Sequence, residues 1–202
     1  MHYAIVSGSV REKAQSYKVG EWIKHVLEQE LSVGEVYHLA LNRQPIPNWE
    51  DGIREKGDDW NETWREVSHK LRKMDAFVIV CPEWNGMIPA ALMNFFHLCT
   101  QMELAHKPAL IVTDSVVDNG AYPVAELRMM TYKNTKICYI PEHVIVRRVE
   151  TVLNGPEAES KEDTYIRTRI HNALSILKLY AEAFVKIRQD ALIKEPQYPH
   201  GM

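Results

Sequence analysis

Short apolar runs alternate with helical patterns along this chain. The apolar runs predict five strands, at residues 3–6, 35–39, 76–81, 109–113 and 136–140. Apolar residues at three- and four-residue spacing predict helices over residues 15–31, 59–73, 89–100, 122–132 and 164–191. This regular alternation predicts an α/β fold, a parallel sheet with right-handed crossovers and helices on both faces.

Three stretches fall outside that alternation. Residues 42–59 are rich in proline and glycine, which predicts a long loop, and loops of this length usually carry function or mobility. The run 144–149 could continue the fifth strand beyond Pro141. Since no shift in composition marks a second domain, we expect residues 1–194 to form one domain and residues 195–202 to be an exposed tail.

Composition and charge exclude several classes of protein. The 202 residues are 46% hydrophobic and 25% charged, which is ordinary for a globular domain with a sizeable core. A net charge of −3 argues against a nucleic-acid partner, because phosphate backbones need clustered basic residues. Cys81, Cys99 and Cys138 lack the spacing of a disulfide framework or zinc site, so we interpret them as buried free thiols. Neither a signal sequence nor a membrane span is recognisable, and we expect a cytoplasmic protein without a membrane partner.

The segment between the first strand and the first helix has the residues of a phosphate cradle. Backbone N–H groups of Ser9, Val10 and Arg11, hydroxyls of Ser7, Ser9 and Ser16, and the Arg11 guanidinium are available there. A phosphate dianion needs such donors together with the positive end of a helix. A strand-to-helix turn with a serine cap and a solvated arginine would have the same residues.

A second candidate loop follows the third strand and precedes the helix that we expect to begin at Pro89. Its residues are Pro82, Glu83, Trp84, Asn85 and Gly86. Gly86 permits a backbone conformation closed to other residues, and the Asn85 amide suits the carbonyl and imide edge of a flavin. Trp84 would either wall the ring or pack as a structural aromatic, and Glu83 would tie the loop down or reach a neighbouring subunit. Because ligands of open α/β sheets bind beyond the carboxyl ends of the strands, the two loops predict a mononucleotide site for a flavin.

These segments resemble the NADPH-dependent FMN reductase family. Gly8-Ser9-Val10-Arg11 with Gln15-Ser16 is similar to the family's phosphate motif. Pro82-Glu83-Trp84-Asn85-Gly86 is similar to its Pro-Glu-Tyr-Asn-Gly signature, and Ala90-Ala91-Leu92-Met93-Asn94 to the segment that follows. The resemblance implies a flavodoxin-like, doubly wound five-stranded sheet of order 2-1-3-4-5, a non-covalent FMN, and NADPH or NADH as co-substrate. It also implies small electron acceptors such as flavins, quinones or azo compounds.

Carried over residue by residue, the resemblance places the FMN phosphate on Ser9, Val10, Arg11, Gln15 and Ser16. It places the isoalloxazine ring against Pro82, Glu83, Trp84, Asn85 and Gly86, with third-loop contacts from Ser115 and Gly120. The chain departs from the family in three places. Trp84 replaces a tyrosine, Ala14 stands where many relatives have a polar ligand, and the third loop, residues 114–121, is acidic rather than glycine-rich. An acidic loop there would weaken binding of nicotinamide phosphates.

Two functions of different classes follow from this resemblance. The leading hypothesis is an FMN-dependent NAD(P)H oxidoreductase that transfers hydride by a ping-pong mechanism. Its flavin carries the chemistry, so no side chain is assigned as catalytic and no metal is expected. The alternative is a flavin-binding electron carrier or interaction module without turnover, which the acidic third loop and the segment 42–59 keep open.

The helix predicted at 89–100 bears on assembly. It is apolar on nearly every side, and a helix of this kind is buried on more than one face. We therefore expect a homodimer or homotetramer with Phe95, Phe96 or Met102 near a two-fold interface. The C-terminal helix or the segment 42–59 could instead cover it within one chain.

Overall fold

Five parallel strands form one sheet in the order β2-β1-β3-β4-β5. The computed structural model describes residues 1–194, except the side chains at positions 54, 56, 58, 59, 191 and 194, and the predicted tail at 195–202 lies outside the described residues. The strands are β1 (Tyr3–Ser7), β2 (Val36–Ala40), β3 (Ala76–Pro82), β4 (Pro108–Asp114) and β5 (Cys138–Val146). The predicted doubly wound sheet and its strand order are confirmed.

Helices connect the strands and cover both faces of the sheet. They are α1 (Gln15–His25), continued by a π-helical turn at Val26–Glu30, α2 (Ile53–Lys56), α3 (Glu62–Arg72), α4 (Ala90–Leu98), α5 (Gln101–Leu104), α6 (Ala121–Met130), α7 (Lys161–Gln189) and α8 (Ala191–Lys194). Single 3₁₀ turns occupy Gly57–Trp60 and Val149–Thr151. None of the helices in residues 1–194 is both long and apolar enough to cross a membrane.

The two faces of the sheet form two apolar cores. Tyr3 and Ile5 of β1 pack with α1 and α7 on one side, whereas Ala4 and Val6 pack with α3, α4 and α6 on the other. Alternate residues of a strand point to opposite faces, so a strand covered on both sides must be apolar throughout. That is why β1, β3 and β4 were readable as short apolar runs. Cys81 and Cys99 lie buried in these cores as free thiols, as predicted, and Cys138 is a free, partly buried thiol.

The predicted loop at 42–59 is wrong in its second half. The chain turns helical at Ile53 and stays in short helical turns to Trp60. The helix predicted from residue 59 begins at Glu62, because Asn61 has extended backbone and its side chain accepts the N–H of Trp64 at 3.1 Å. An asparagine at this position satisfies an N–H that the helix itself cannot, and so fixes where the helix starts.

The fifth strand also differs from its predicted bounds. Lys136 has a φ of 52°, in the left-handed region, so β5 begins at Cys138. It then continues through Pro141 to Val146, with a register shift opposite Ala109 and Ile111 of β4. Proline lacks an N–H and is tolerated in strands at edges and bulges, and β5 is an edge strand with such an irregularity.

Candidate functional site

The first loop is held in place at Gly8. Its N–H donates to the carbonyl of Val80 in β3 at 2.9 Å, so the chain leaves β1 in a fixed direction. A Cβ atom on Gly8 would lie 2.8 Å from Cδ2 of Leu92 in α4. Only glycine lets the loop pass this close to α4 without displacing the Leu92 side chain.

Unsatisfied polar groups gather where the first loop enters α1. The Ser9 hydroxyl accepts the Arg11 N–H at 3.2 Å, which curls the loop back on itself. Ala14 precedes the helix and supplies no side-chain cap. Behind it, Oε1 of Gln15 and Oγ of Ser16 are buried without a hydrogen-bond partner among the residues that the structure describes. Buried polar atoms are nearly always paired, so this cradle has the character of a ligand site.

A chain of hydrogen bonds that runs from buried Ser7 to exposed Glu21 supports the cradle from below. The Ser7 hydroxyl donates to the carbonyl of Ser16 at 3.0 Å and contacts Nε2 of His38 at 2.7 Å, and His38 Nδ1 lies 2.5 Å from Oε1 of Glu21. Burial lowers the pKa of His38 despite the neighbouring Glu21 carboxylate. A Cβ on Gly20 would be 2.5 Å from His38 Nε2, so α1 packs directly on this chain. Ser7 is therefore enclosed beneath α1, and the arrangement is structural rather than nucleophilic.

The second loop contains a two-residue hairpin turn. Trp84 and Met87 exchange backbone hydrogen bonds of 3.0 and 2.9 Å, and the residues between them, Asn85 and Gly86, have φ of 51° and 78°. Positive φ at both central positions defines a type I′ turn, which Asn-Gly favours over other dipeptides. Sequence reasoning recognised the need for Gly86 but missed the hairpin, although the dipeptide itself signals it. A Cβ on Gly86 would meet only Tyr122, at 3.5 Å, so backbone strain rather than crowding demands glycine there.

Two carboxylates tie the second loop to its neighbours. Glu83 Oε2 accepts the N–H of Gly120 in the third loop at 2.6 Å, and Glu126 Oε2 accepts the N–H of Ile88 at 2.8 Å. Gly120 has a φ of 107°, and a Cβ there would lie 2.6 Å from Ile145. Within one chain, Glu83 thus serves to tie the loops together. The helix predicted from Pro89 begins one residue later, because Pro89 itself has extended ψ.

Arg11 and Trp84 join the first and second loops. The guanidinium carbon of Arg11 lies 4.9 Å from the centroid of the Trp84 ring. A cation over an aromatic face is held by the ring's negative quadrupole, and arginine keeps its hydrogen-bond donors free in that position. The side chain is thereby presented to the space between the loops.

The loops enclose a cleft of about 280 Å³ at the carboxyl edge of the sheet. It brings together most of the predicted site residues, namely Ser9, Arg11, Gln15, Pro82, Glu83, Trp84, Asn85 and Ser115. Ser16 lies buried beneath it, Val10 faces an adjacent groove, and Gly86 and Gly120 shape the second and third loops without lining the cleft. Lining residues that sequence reasoning missed are Lys13, Asp114, Val116 and Glu150.

Asp114 is the most unusual of the missed residues. It ends β4, is only 4% exposed, and its Oδ1 has no hydrogen-bond partner within the described part of the chain. Burial raises the pKa of Asp114 to about 7, although the charge of Lys18 opposes the shift. In the sequence, Asp114 is marked only by its place directly after an apolar run. Glu150 lies in the 3₁₀ turn at Val149–Thr151, far along the chain from the other cleft residues, and belongs to no recognisable motif.

The third loop places less negative charge at the cleft than its sequence suggests, because one of its aspartates is paired with an arginine. The Ser115 N–H donates to the Val146 carbonyl at 3.0 Å, and the Ser115 hydroxyl accepts the Val117 N–H at 3.3 Å. Asp118 pairs with Arg148 at 2.9 Å on the exposed side of the loop. One of its carboxylates is therefore neutralised locally, and Asp114 is the acidic group of this loop that reaches the cleft.

Comparison with known proteins bears on the chemistry of this cleft. A family model described as NADPH-dependent FMN reductase matches residues 1–151. An NADPH azoreductase from Bacillus sp. (strain OY1-2) is 23% identical over 192 residues, which cover 94% of this chain and 97% of that protein.

Solved structures agree with the fold. An oxidoreductase from Corynebacterium diphtheriae superposes with a TM-score of 0.68 at 16% identity, covering 92% of this chain and 97% of that one. The flavoenzyme NAD(P)H:(acceptor) oxidoreductase FerB from Paracoccus denitrificans gives a TM-score of 0.65 at 18% identity, with the same coverage of each chain. At these identities the likeness shows the fold alone.

Proposed function

Because the chain belongs to the NADPH-dependent FMN reductase family and is an FMN-dependent NAD(P)H oxidoreductase, we propose that the cleft at the carboxyl edge of its sheet binds the flavin. One observation carries the proposal. Buried oxygen atoms of Gln15, Ser16 and Asp114 that have no hydrogen-bond partner within residues 1–194 lie at or directly beneath a cleft between a phosphate-type loop and an Asn-Gly hairpin. A ligand with a phosphate, hydroxyls and a planar polar ring matches that combination of groups.

The residues present fit FMN in three regions of the cleft. Ser9, Gln15 and Ser16, with the backbone of Val10, would hold the phosphate, and the guanidinium of Arg11 would supply the countercharge. Pro82, Glu83, Trp84, Asn85 and Gly86 would form the ring site. Ser115 and Gly120 would complete it from the third loop.

When bound, FMN supplies the redox chemistry, accepting hydride from NAD(P)H and passing reducing equivalents to an acceptor. The protein's own contribution is to bind and orient. The Glu83–Gly120 hydrogen bond holds two loops at a fixed separation, and the hairpin presents the Asn85 amide at the cleft. No side chain has to act as acid or base for hydride transfer, so we assign no catalytic residue.

For the acceptor, we propose a small quinone or azo compound, in line with the similarity to an NADPH azoreductase. We propose NADPH or NADH as the co-substrate. NADPH is named in the description of the matched family, and the pairing of Asp118 with Arg148 reduces the acidity of the third loop that would oppose its phosphate. We place the enzyme in the cytoplasm, where reduced nicotinamide nucleotides are available, and treat residues 1–194 as one domain.

We further propose a homodimer or homotetramer, but with an interface that does not include Phe95 and Phe96. Phe95 and Phe96 are buried within the single chain, where Phe95 packs edge-on against Trp64 with ring centroids 6.4 Å apart. Neither is therefore available to form an interface. Met102 is 61% exposed and offers apolar surface for a partner subunit, and exposed Tyr122, near the hairpin, offers a separate apolar contact.

The proposal is tested with purified protein reconstituted with FMN. We expect FMN fluorescence to be quenched on binding, and the holoenzyme to oxidise NADPH when a quinone or azo dye is added. Absence of FMN binding would refute the cleft assignment. Binding without nucleotide oxidation would instead favour the electron carrier.

Arg11→Ala assigns the phosphate end of the site. Loss of a hydrogen-bonded charge is worth about 1.5–3 kcal/mol, which corresponds to a roughly 10- to 100-fold weaker FMN affinity. Riboflavin lacks the phosphate, so its affinity should change less. Arg65→Ala, in α3 and outside the cleft lining, removes the same charge away from the cleft and should leave FMN affinity unchanged. Equal effects of both variants would remove Arg11 from the site.

A further inference from the structure

None of the residues that the structure describes donates a hydrogen bond to the Oδ1 atom of Asp114, although this carboxyl group is buried. Asp114 lies opposite Pro82 of β3 at the carboxyl end of the sheet, and its strand, β4, is an interior strand with neighbours on both sides. Asp114 is 4% exposed and lines the cleft. A buried carboxylate is costly unless donors surround it. Either a proton or a group on the ligand must therefore complete this site.

The charged groups around Asp114 do not supply the missing donor. The positive charge of Lys18 in α1 acts on Asp114, but the Lys18 ammonium makes its hydrogen bonds elsewhere. It donates to the carbonyls of Val149 and Val152 at 2.6 and 2.9 Å and to Oδ1 of Asn154 at 2.7 Å. Cys81 of β3 lies opposite Thr113 rather than Asp114, and its buried thiol belongs to the core on the α3 side of the sheet, so it interacts with the Asp114 carboxyl group only electrostatically.

The remaining charges of the cleft are divided between its walls. Glu83 and Glu150 add negative charge, and Arg11 and Lys13 add positive charge from the first loop. Burial raises the pKa of Asp114 to about 7, so its charge changes within the physiological range. A dianionic phosphate entering the cleft would add negative charge and expel water, and both effects favour the protonated form of a nearby carboxyl group.

We propose that Asp114 is a flavin-binding residue that takes up a proton from solvent when FMN enters the cleft, and that the resulting carboxylic acid hydrogen-bonds to a hydroxyl of the ligand. This inference rests on the proposed function of the cleft. A protonated carboxyl group both donates and accepts a hydrogen bond, which suits a hydroxyl group. The two binding events are thermodynamically linked. If bound FMN raises the proton affinity of Asp114 by some factor, protonation of Asp114 must raise the FMN affinity by the same factor.

The test is the pH dependence of FMN affinity between pH 7 and 9, where a phosphate monoester stays dianionic because its second pKa is about 6. For the wild-type protein, the dissociation constant should rise with pH, by up to about tenfold per unit for one linked proton. Asp114→Asn keeps both hydrogen-bonding functions without the charge, so its affinity should not vary over this range. Asp118→Asn, which removes an exposed carboxylate from the same loop, should retain the wild-type slope.

Calorimetry of FMN binding to the wild-type protein at pH 8, in HEPES and in Tris, provides a measurement that needs no variant. The heats should differ between the two buffers in the sense of proton uptake, and uptake should be smaller with riboflavin. A pH-independent affinity in the wild type, or a pH slope retained in Asp114→Asn, would overturn the inference while leaving the cleft as the flavin site. Absence of FMN binding at every pH would overturn the proposed function and this inference with it.

Discussion

Glu83→Ala tests whether one hydrogen bond fixes the second and third loops relative to each other. Glu83 Oε2 accepts the Gly120 N–H at 2.6 Å, and the Gly120 carbonyl accepts the Thr113 hydroxyl at 2.7 Å. Gly120 has no room for a side chain beside Ile145 and must keep its positive φ. Removal of the carboxylate leaves the Gly120 N–H without its acceptor, and the third loop should open more often.

The size of the effect follows from the kind of bond. Hydrogen bonds to charged groups contribute about 1.5–3 kcal/mol, and the partly exposed position of Glu83 favours the lower end because water can replace the acceptor. Since about 1.4 kcal/mol is a factor of ten, opening at Gly120 should increase roughly 10- to 100-fold in Glu83→Ala. Glu83→Gln keeps an acceptor oxygen without its charge, so its effect should be smaller.

Amide hydrogen exchange, followed by NMR, measures this opening directly. In Glu83→Ala, exchange should accelerate at Gly120 and stay near the wild-type rate at Ile88. Glu126→Ala is the matched control, because it removes the acceptor of the Ile88 N–H and should reverse that pattern. Exchange at Gly120 that changes less than about twofold in Glu83→Ala would refute the assignment of Glu83 as the tie between the loops.

Two further predictions concern the hairpin and a buried lysine. Gly86→Val puts a β-branched residue at a φ of 78°, at a cost of about 1–3 kcal/mol. A folded valine variant should therefore bind FMN weakly, whereas Gly86→Asn should keep most of the affinity because asparagine tolerates this φ. Wild-type FMN affinity in the valine variant would contradict the assignment of the turn. Lys107 donates to the Leu71 and Arg72 carbonyls at the end of α3, and burial, aided by the charge of Arg188, lowers its pKa to about 8. The unfolded state binds this proton more tightly than the folded state, so the free energy of unfolding should rise with pH between about pH 8 and 10.5, by about 3 kcal/mol in total. Urea unfolding of the wild type and of Lys107→Met over this pH range measures the effect as the difference between the two proteins. A difference that does not change with pH would show that Lys107 is not desolvated.

Local signals in the sequence were sufficient for most of the fold. The strands β1, β3 and β4 are covered on both faces, so their residues had to be apolar regardless of which helices cover them. The Gly86 position was readable for a similar reason, because a positive φ restricts the residue type itself. The boundaries that failed, at 53–60 and at Lys136, depend on single backbone conformations that many residues can adopt.

Groups that meet only after folding were beyond the reach of the sequence. Arg11 and Trp84 are far apart in the chain and come together because β1 and β3 are neighbours in the sheet. Phe95 could be assigned to the core rather than to an interface only once α3 was seen to cover it. The pKa of Asp114 depends on how completely the neighbouring strands and loops exclude water from its carboxyl group. Residue types set which hydrogen bonds and charges are possible, and the tertiary structure alone decides which of them are buried, paired or left for a ligand.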